Sequence, residues 1–175
     1  MGQIKKPYPA KLFFGFIYQD ASFYSQAIKI INRDFGRFDY QSVEFGFDYT
    51  DYYQPEFGLN LKRRFVSCQD LIDPAKLYKI KIFSNRLEDK FSSLGKRKVN
   101  IDPGMLDLAK VVLATTKDFA HRVYLNKGIF AEVTLLFKGK TYQHLPWTYP
   151  DYRTQKYIDL FLEMRKLYVL KIKDL

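Results

Sequence analysis

The chain has 175 residues, 47% hydrophobic and 18% aromatic, enough to bury a sizeable core as one globular domain over 1–175 and too apolar for disorder. Twenty-nine Lys and Arg against 19 Asp and Glu give a formal charge of +10, which favours an anionic partner over a cationic one. No apolar stretch reaches the roughly 20 residues that cross a bilayer, and the single cysteine, Cys68, excludes an internal disulfide and fits the cytoplasm.

"MGQIKKPYPAKLFFGF" places two lysines ahead of an apolar run but has no small-residue cleavage site, so it reads as a first strand and not a signal peptide. "KLFFGFIY" (11–18) is the apolar core of that strand. Asp20 can cap a helix over "SFYSQAIKIINRDFG", with Phe23, Ala27, Ile30 and Ile31 on one face and Gly36 at its end. "YQSVEFGFDY" and "LKRRFVSC" read as strands, separated by the polar "TDYYQPEFG". Asp73-Pro74 starts a second helix, with Leu77, Ile80, Phe83, Leu87 and Phe91 at helical spacing. After the basic loop "SSLGKRK", "VNIDPG" reads as a strand running into a turn. "KVVLATT", "HRVYL" and "IFAEVTLLF" are further strands, and "KGK" turns the chain into "TYQHL". The loop "LPWTYPDY" leads to a last helix with Tyr157, Leu160, Phe161, Met164, Leu167 and Tyr168 in one stripe.

Strands and helices do not alternate regularly, so a purely parallel sheet is not expected. The order predicts an α+β domain: a mainly antiparallel or mixed sheet, helices on one face, and room for a ferredoxin-like core extended by a β-hairpin. There is no G-x-x-x-x-G-K-[ST], G-x-G-x-x-G or G-x-S-x-G. One Cys and two His are too few for an ordinary zinc site, whereas carboxylates can hold magnesium.

Three groups of residues can carry chemistry. Thr115, Thr116 and Lys117 follow a strand, where hydroxyls and an ammonium suit a phosphate. His121 can exchange a proton near neutral pH and Arg122 can hold an oxyanion. The plain alternative is a polar surface loop. Glu132 sits within the apolar "IFAEVTLLF", where a carboxylate needs a cation such as Arg122 or Lys117, or else a ligating or catalytic task. The second group is "FDYTDYYQPEFG": Asp48, Asp51 and Glu56 among Tyr49, Tyr52 and Tyr53, with "KRR" (62–64), Arg64 foremost, near in sequence for phosphate contact. The third joins Asp102-Pro103-Gly104, turn chemistry first, to Trp147 and Tyr149, which form either a core lid or a stacking platform. Asp48 and Asp102 are the candidate metal ligands.

The chain resembles a family of uncharacterised bacterial proteins, domain of unknown function 4416. The resemblance runs over most of the length, through "FDYTDYY" with "LKRRFVS", "LIDP", "VNIDPG", "LATTKDFAHRVYL" with "KGIFAEVTL", and "LPWTYPDYR". The family implies no established activity. Similar proteins are sometimes labelled GTP-binding, and "TTKD" resembles the guanine-specifying pattern, although Lys117 and Asp118 are adjacent here; the resemblance thus adds GTP binding without a P-loop as a further alternative.

The leading expectation is a phosphate-bearing ligand, nucleotide or RNA, contacted by Lys117, His121 and Arg122. An enzymatic version uses His121 in phosphoryl or nucleotidyl chemistry, with Glu132 beside it and Mg on Asp48 or Asp102. The alternatives are a non-catalytic RNA-binding module using Lys62, Arg63, Arg64, Lys96, Arg97 and Lys98, and a protein-interaction module docking through Trp147.

Overall fold

The computed structural model of the chain describes residues 2–173. Its elements run β1 (Ala10–Tyr18), α1 (Ala21–Phe35), β2 (Phe38–Gln41), β3 (Phe45–Gly46), the short α2 (Gln54–Phe57), β4 (Lys62–Ile72), α3 (Leu77–Lys90), β5 (Val99–Leu106), β6 (Lys110–Thr115), β7 (Arg122–Asn126), β8 (Ile129–Lys138), β9 (Thr141–His144) and α4 (Gln155–Ile172). The strands form one antiparallel sheet in the order β2-β4-β1-β5-β6-β8-β7; β3 pairs with β4 and β9 with β8. The fold is therefore α+β. The order β2-β4-β1-β5, with α1 and α3 as the connections, is compatible with the expected ferredoxin-like core. Among the described residues no helix is long and apolar enough to cross a membrane.

β1 is the central strand because it is apolar on both faces: all nine residues are buried. Leu12, Phe14, Phe16 and Tyr18 pack with Tyr24, Ala27 and Ile31 of α1 and with Ile80 and Leu87 of α3. Phe13, on the opposite face, packs with Tyr157, Phe161 and Met164 of α4. Helices are expected on one face; α1 and α3 share one, but α4 covers the other, since a strand apolar on both sides needs cover on both.

Local signals work as their chemistry dictates. Asp20 accepts from the Ser22 N–H at 2.8 Å and opens α1, and Asp73 accepts from the Ala75 N–H at 3.0 Å ahead of α3. Lys127 and Gly128, both at positive φ, turn β7 into β8. Two expectations change. "YQSVEFGFDY" is not one strand but the short β2 and β3. Asp102-Pro103-Gly104 is not a turn: β5 runs straight through it to Leu106, and the turn follows at Asp107, which accepts from the N–H groups of Ala109 and Lys110. Gly104 is required by packing instead, because a Cβ there would lie 2.2 Å from Phe13 Cζ and 2.8 Å from the Val112 carbonyl oxygen.

Candidate functional site

A cavity forms where two neighbouring strands stop pairing. β5 and β6 are joined only over residues 104–106 and 111–113. The ladder ends beside Pro103, which has no N–H to donate. Beyond it β5 remains paired with β1, and β6 with β8. A cavity of about 690 Å³ opens there, lined from β5 by Asn100 and Asp102 and by residues 113–116 at the end of β6 and just beyond it. Its other walls come from the tyrosine segment at 49–53, from α3, and from the loop at 149–152 that precedes α4.

Arg63 enters this cavity from β4. The strand alternation that buries Leu61 and Phe65 also turns Arg63 inward, leaving it 2% exposed. Its guanidinium carbon lies 4.5 Å from the centre of the Phe65 ring, and Gly15 across the strand makes room: a Cβ there would sit 3.1 Å from Nη2. Nη2 donates to the Tyr152 hydroxyl at 3.1 Å and stands 3.9 Å from Asp151 Oδ2. Nε and Nη1 are buried and have no partner among the described residues. Burial opposes the positive charge, but the surrounding Tyr157, Tyr152, Asp151 and Asp102 more than offset it and hold the pKa above the usual arginine value.

Beside it runs a chain of paired charges. Lys81, from α3, meets Asp102 at 3.2 Å, and Asn100 donates to the other Asp102 oxygen at 2.6 Å. Arg97 donates through Nη1 to Asn100 and Glu88, each at 2.9 Å, and through Nε and Nη2 to the two oxygens of Glu56, each at 2.7 Å. The last pair fastens α2, and with it the tyrosine segment, to the cavity wall. The two aspartates are pushed in opposite directions. Burial raises Asp102, but Lys81, Arg63 and the hydrogen bonds outweigh it and bring the carboxyl below its usual range. For Asp151 burial prevails over the pull of Arg63 and raises the carboxyl.

At the far side, Glu132 of β8 is 2% exposed. Arg122, directly opposite in the β7–β8 register, donates from Nε to Glu132 Oε2 at 2.9 Å, and His121 Nε2 lies 3.0 Å from the same oxygen. The other two Arg122 nitrogens are also engaged: Nη1 donates to the Lys117 carbonyl and Nη2 to the Tyr149 hydroxyl, both at 3.0 Å. His121 stacks on Trp147 at 5.0 Å between ring centres, and Trp147 Nε1 donates to the Val133 carbonyl. At the rim, Lys117 donates to the Tyr52 hydroxyl at 3.1 Å.

Members of each of the three groups singled out from sequence meet at one place. Thr115, Thr116, Lys117, Tyr52, Glu132 and Asp102 line the cavity. His121 and Arg122 stand behind Glu132 and are not among the lining residues, so the contacts that they make are to Glu132 and the loops. The expected Glu132–Arg122 ion pair is present. Arg64 is elsewhere: one residue from Arg63, it faces the α1 side, 5.1 Å above the Tyr24 ring and 3.7 Å from Glu44. Asp48 is exposed, because the same alternation buries Phe47; it does not join Asp102, and among the described residues no group of three or more His, Cys, Asp or Glu is arranged to hold a metal ion. Trp147 is 38% exposed and anchored to the sheet through Val133. Sequence reasoning missed Lys81, Glu88, Asn100 and Asp151 as cavity residues. For the first two the signal was present: residues 81, 84 and 88 repeat at helical spacing alongside the apolar stripe of α3, and all three are buried.

No curated protein and no solved structure matches the chain. One family model does, over residues 8–168, and it includes every residue of the cavity described above. The chain belongs to the family Domain of unknown function (DUF4416).

Proposed function

We propose that the protein binds a phosphate-bearing ligand of the nucleotide class in the cavity between β5 and β6, as a protein of the cytoplasm. The observation that carries this reading is Arg63, a buried guanidinium among the residues lining the cavity, whose Nε and Nη1 nitrogens both lack an acceptor among the described residues. Unmatched buried donors of a charged group are costly, and an anionic oxygen is the group that relieves them. Lys117 adds an ammonium at the rim that meets no carboxylate within salt-bridge distance among the described residues. The other cavity cations, Lys81 and Arg97, are already matched by Asp102, Glu56 and Glu88. Tyr49, Tyr52, Tyr53 and Tyr149 provide the aromatic surface on which a base can stack.

The placement of the basic residues favours a ligand in the cavity over an RNA strand on the surface. Of the set that an RNA-binding module would use, Arg63 is buried, Arg64 lies beside Glu44, and Arg97 is tied to Glu56 and Glu88. A thermal-shift screen against nucleoside mono-, di- and triphosphates and a short single-stranded RNA tests the reading. It predicts a rise in Tm with at least one nucleotide, lost in Lys117→Ala. A rise with RNA alone, weakened by removing Lys62, Lys96 and Lys98 and indifferent to Lys117, would replace it with the surface reading.

A further inference from the structure

Besides Arg63 Nε and Nη1, the residues lining the cavity include a further unmatched polar atom, Glu132 Oε1. It is buried and has no hydrogen-bond partner among the described residues, while Oε2 of the same carboxylate takes both Arg122 and His121. Resting on the reading above, we infer that the bound ligand presents a neutral hydrogen-bond donor, a hydroxyl or an amino group, to Glu132 Oε1 at the side of the cavity opposite Arg63. Glu132 is then a specificity-determining residue, and His121 and Arg122 are the groups that position it.

Three observations lead there. The first is placement. Following the register from Arg63 through Ile17 and Asn100, and from Gly104 through Leu113 to Glu132, puts both side chains on the same face of the sheet. They stand on β4 and β8, four inter-strand steps apart at roughly 5 Å each. Inorganic phosphate cannot touch both; an extended molecule with an anionic end and a donor end can. The second is charge. The Arg122 guanidinium already matches the Glu132 carboxylate at 2.9 Å, so a cationic ligand group would bring a surplus positive charge next to Arg122, whereas a neutral donor satisfies Oε1 without one. The third is rigidity. Arg122 is fixed by the Lys117 carbonyl and the Tyr149 hydroxyl, and His121 by stacking on Trp147. The direction of Oε1 is therefore set before a ligand arrives, which is what discrimination by a single hydrogen bond requires.

The test is calorimetric titration of the full chain with inorganic phosphate and with the 5′-monophosphates of adenosine, guanosine, cytidine and uridine. The tightest nucleotide is then compared with its 2′,3′-dideoxy form, which lacks the sugar hydroxyls, and, where its base has an exocyclic amino group, with the form lacking it. In the wild-type protein one of these deletions is expected to weaken binding about tenfold or more, and which one does so identifies the donor. In Glu132→Gln the single amide oxygen is claimed by Arg122 and His121, so the amide NH2 faces the ligand. The parent nucleotide should weaken to the level of its analogue, with inorganic phosphate unaffected. Should Glu132→Gln fail to fold, the 13C signal of the Glu132 carboxyl in the wild-type protein supplies the readout, moving with the parent nucleotide and not with the analogue. If nucleotides bind and Lys117→Ala weakens them, but neither deletion nor Glu132→Gln changes affinity, this inference is overturned and the binding reading stands. If neither nucleotides nor phosphate bind, the binding reading falls and takes this one with it.

Discussion

Lys117 and Tyr52, 65 residues apart in the chain, meet at 3.1 Å across the rim of the cavity, with the ammonium 4.4 Å from the centre of the Tyr52 ring. The contact joins the end of β6 to the tyrosine segment. It leaves the lysine charge available to a ligand, because a hydroxyl does not neutralise an ammonium. Both residues are exposed, so Lys117→Ala is expected to shift Tm by no more than about 2 °C. Its nucleotide affinity should fall roughly tenfold or more, as for loss of a charged hydrogen bond. Titration calorimetry beside a melting curve checks both, and equal loss of fold and of binding would assign Lys117 a structural role only.

Arg63 should behave oppositely. Replacing it with methionine leaves Asp151 buried without its cation and removes one of the charges that holds Asp102 down. Breaking a buried pair in this way costs about 3–5 kcal/mol, read as a Tm lower by roughly 10 °C. Arg63→Met combined with Asp151→Asn should recover part of that loss, because the pair fails together. Chemical denaturation of the two single variants and the double variant gives the coupling directly.

The two cavity aspartates shape the pH dependence in opposite senses. Asp102, lowered on folding, contributes stability that is present above the ordinary carboxylate pKa and is lost as pH falls through its depressed value. Asp151, raised on folding, contributes stability that is complete below the ordinary carboxylate pKa and is lost as pH rises through its elevated value. Asp151→Asn should therefore remove a decline in unfolding free energy just above the usual carboxylate range. Asp102→Asn should remove a decline on the acid side. Urea titrations at a series of pH values separate the two slopes.

Gly104 carries the geometry of the parting strands. An alanine there would press on the Phe13 ring and on the Val112 carbonyl, which belongs to the backbone of β6 and cannot rotate away. Overpacking of this kind costs about 1–3 kcal/mol. Gly46→Ala, where nothing lies within 4 Å of a new Cβ, should leave Tm nearly unchanged and serves as the control.

Much of this was legible in the sequence. The caps at Asp20 and Asp73, the apolar run of β1 and the helical stripes of α1, α3 and α4 are local, and local chemistry placed them within a residue or two. Glu132 betrayed itself as a carboxylate in an apolar strand, and its partner Arg122 was within reach. What could not be read was which charged residues turn inward when neighbours share a side-chain type. Arg63 and Arg64 differ only in parity, and parity becomes burial only once β4 is paired on both sides. The Asp102-Pro103-Gly104 segment misled for a related reason: proline and glycine usually break a strand, whereas here the proline ends one ladder while the other continues and the glycine admits Phe13. Asp151 reaches the cavity only through tertiary packing, so its sequence neighbours gave no indication of it, whereas Lys81 was marked by its helical spacing to Ser84 and Glu88.

The central claim is that the gap between β5 and β6 is where a phosphate-bearing ligand sits. Amide and side-chain chemical-shift mapping of the full chain during titration with a nucleoside 5′-monophosphate tests it most directly. The account predicts the largest shifts at Arg63, Asp102, residues 115–117 and Asp151, including the Arg63 Nε–H signal moving as its proton gains an acceptor. Shifts confined to the exposed basic residues around Lys96 and Lys98, with the Arg63 Nε–H unmoved, would contradict it.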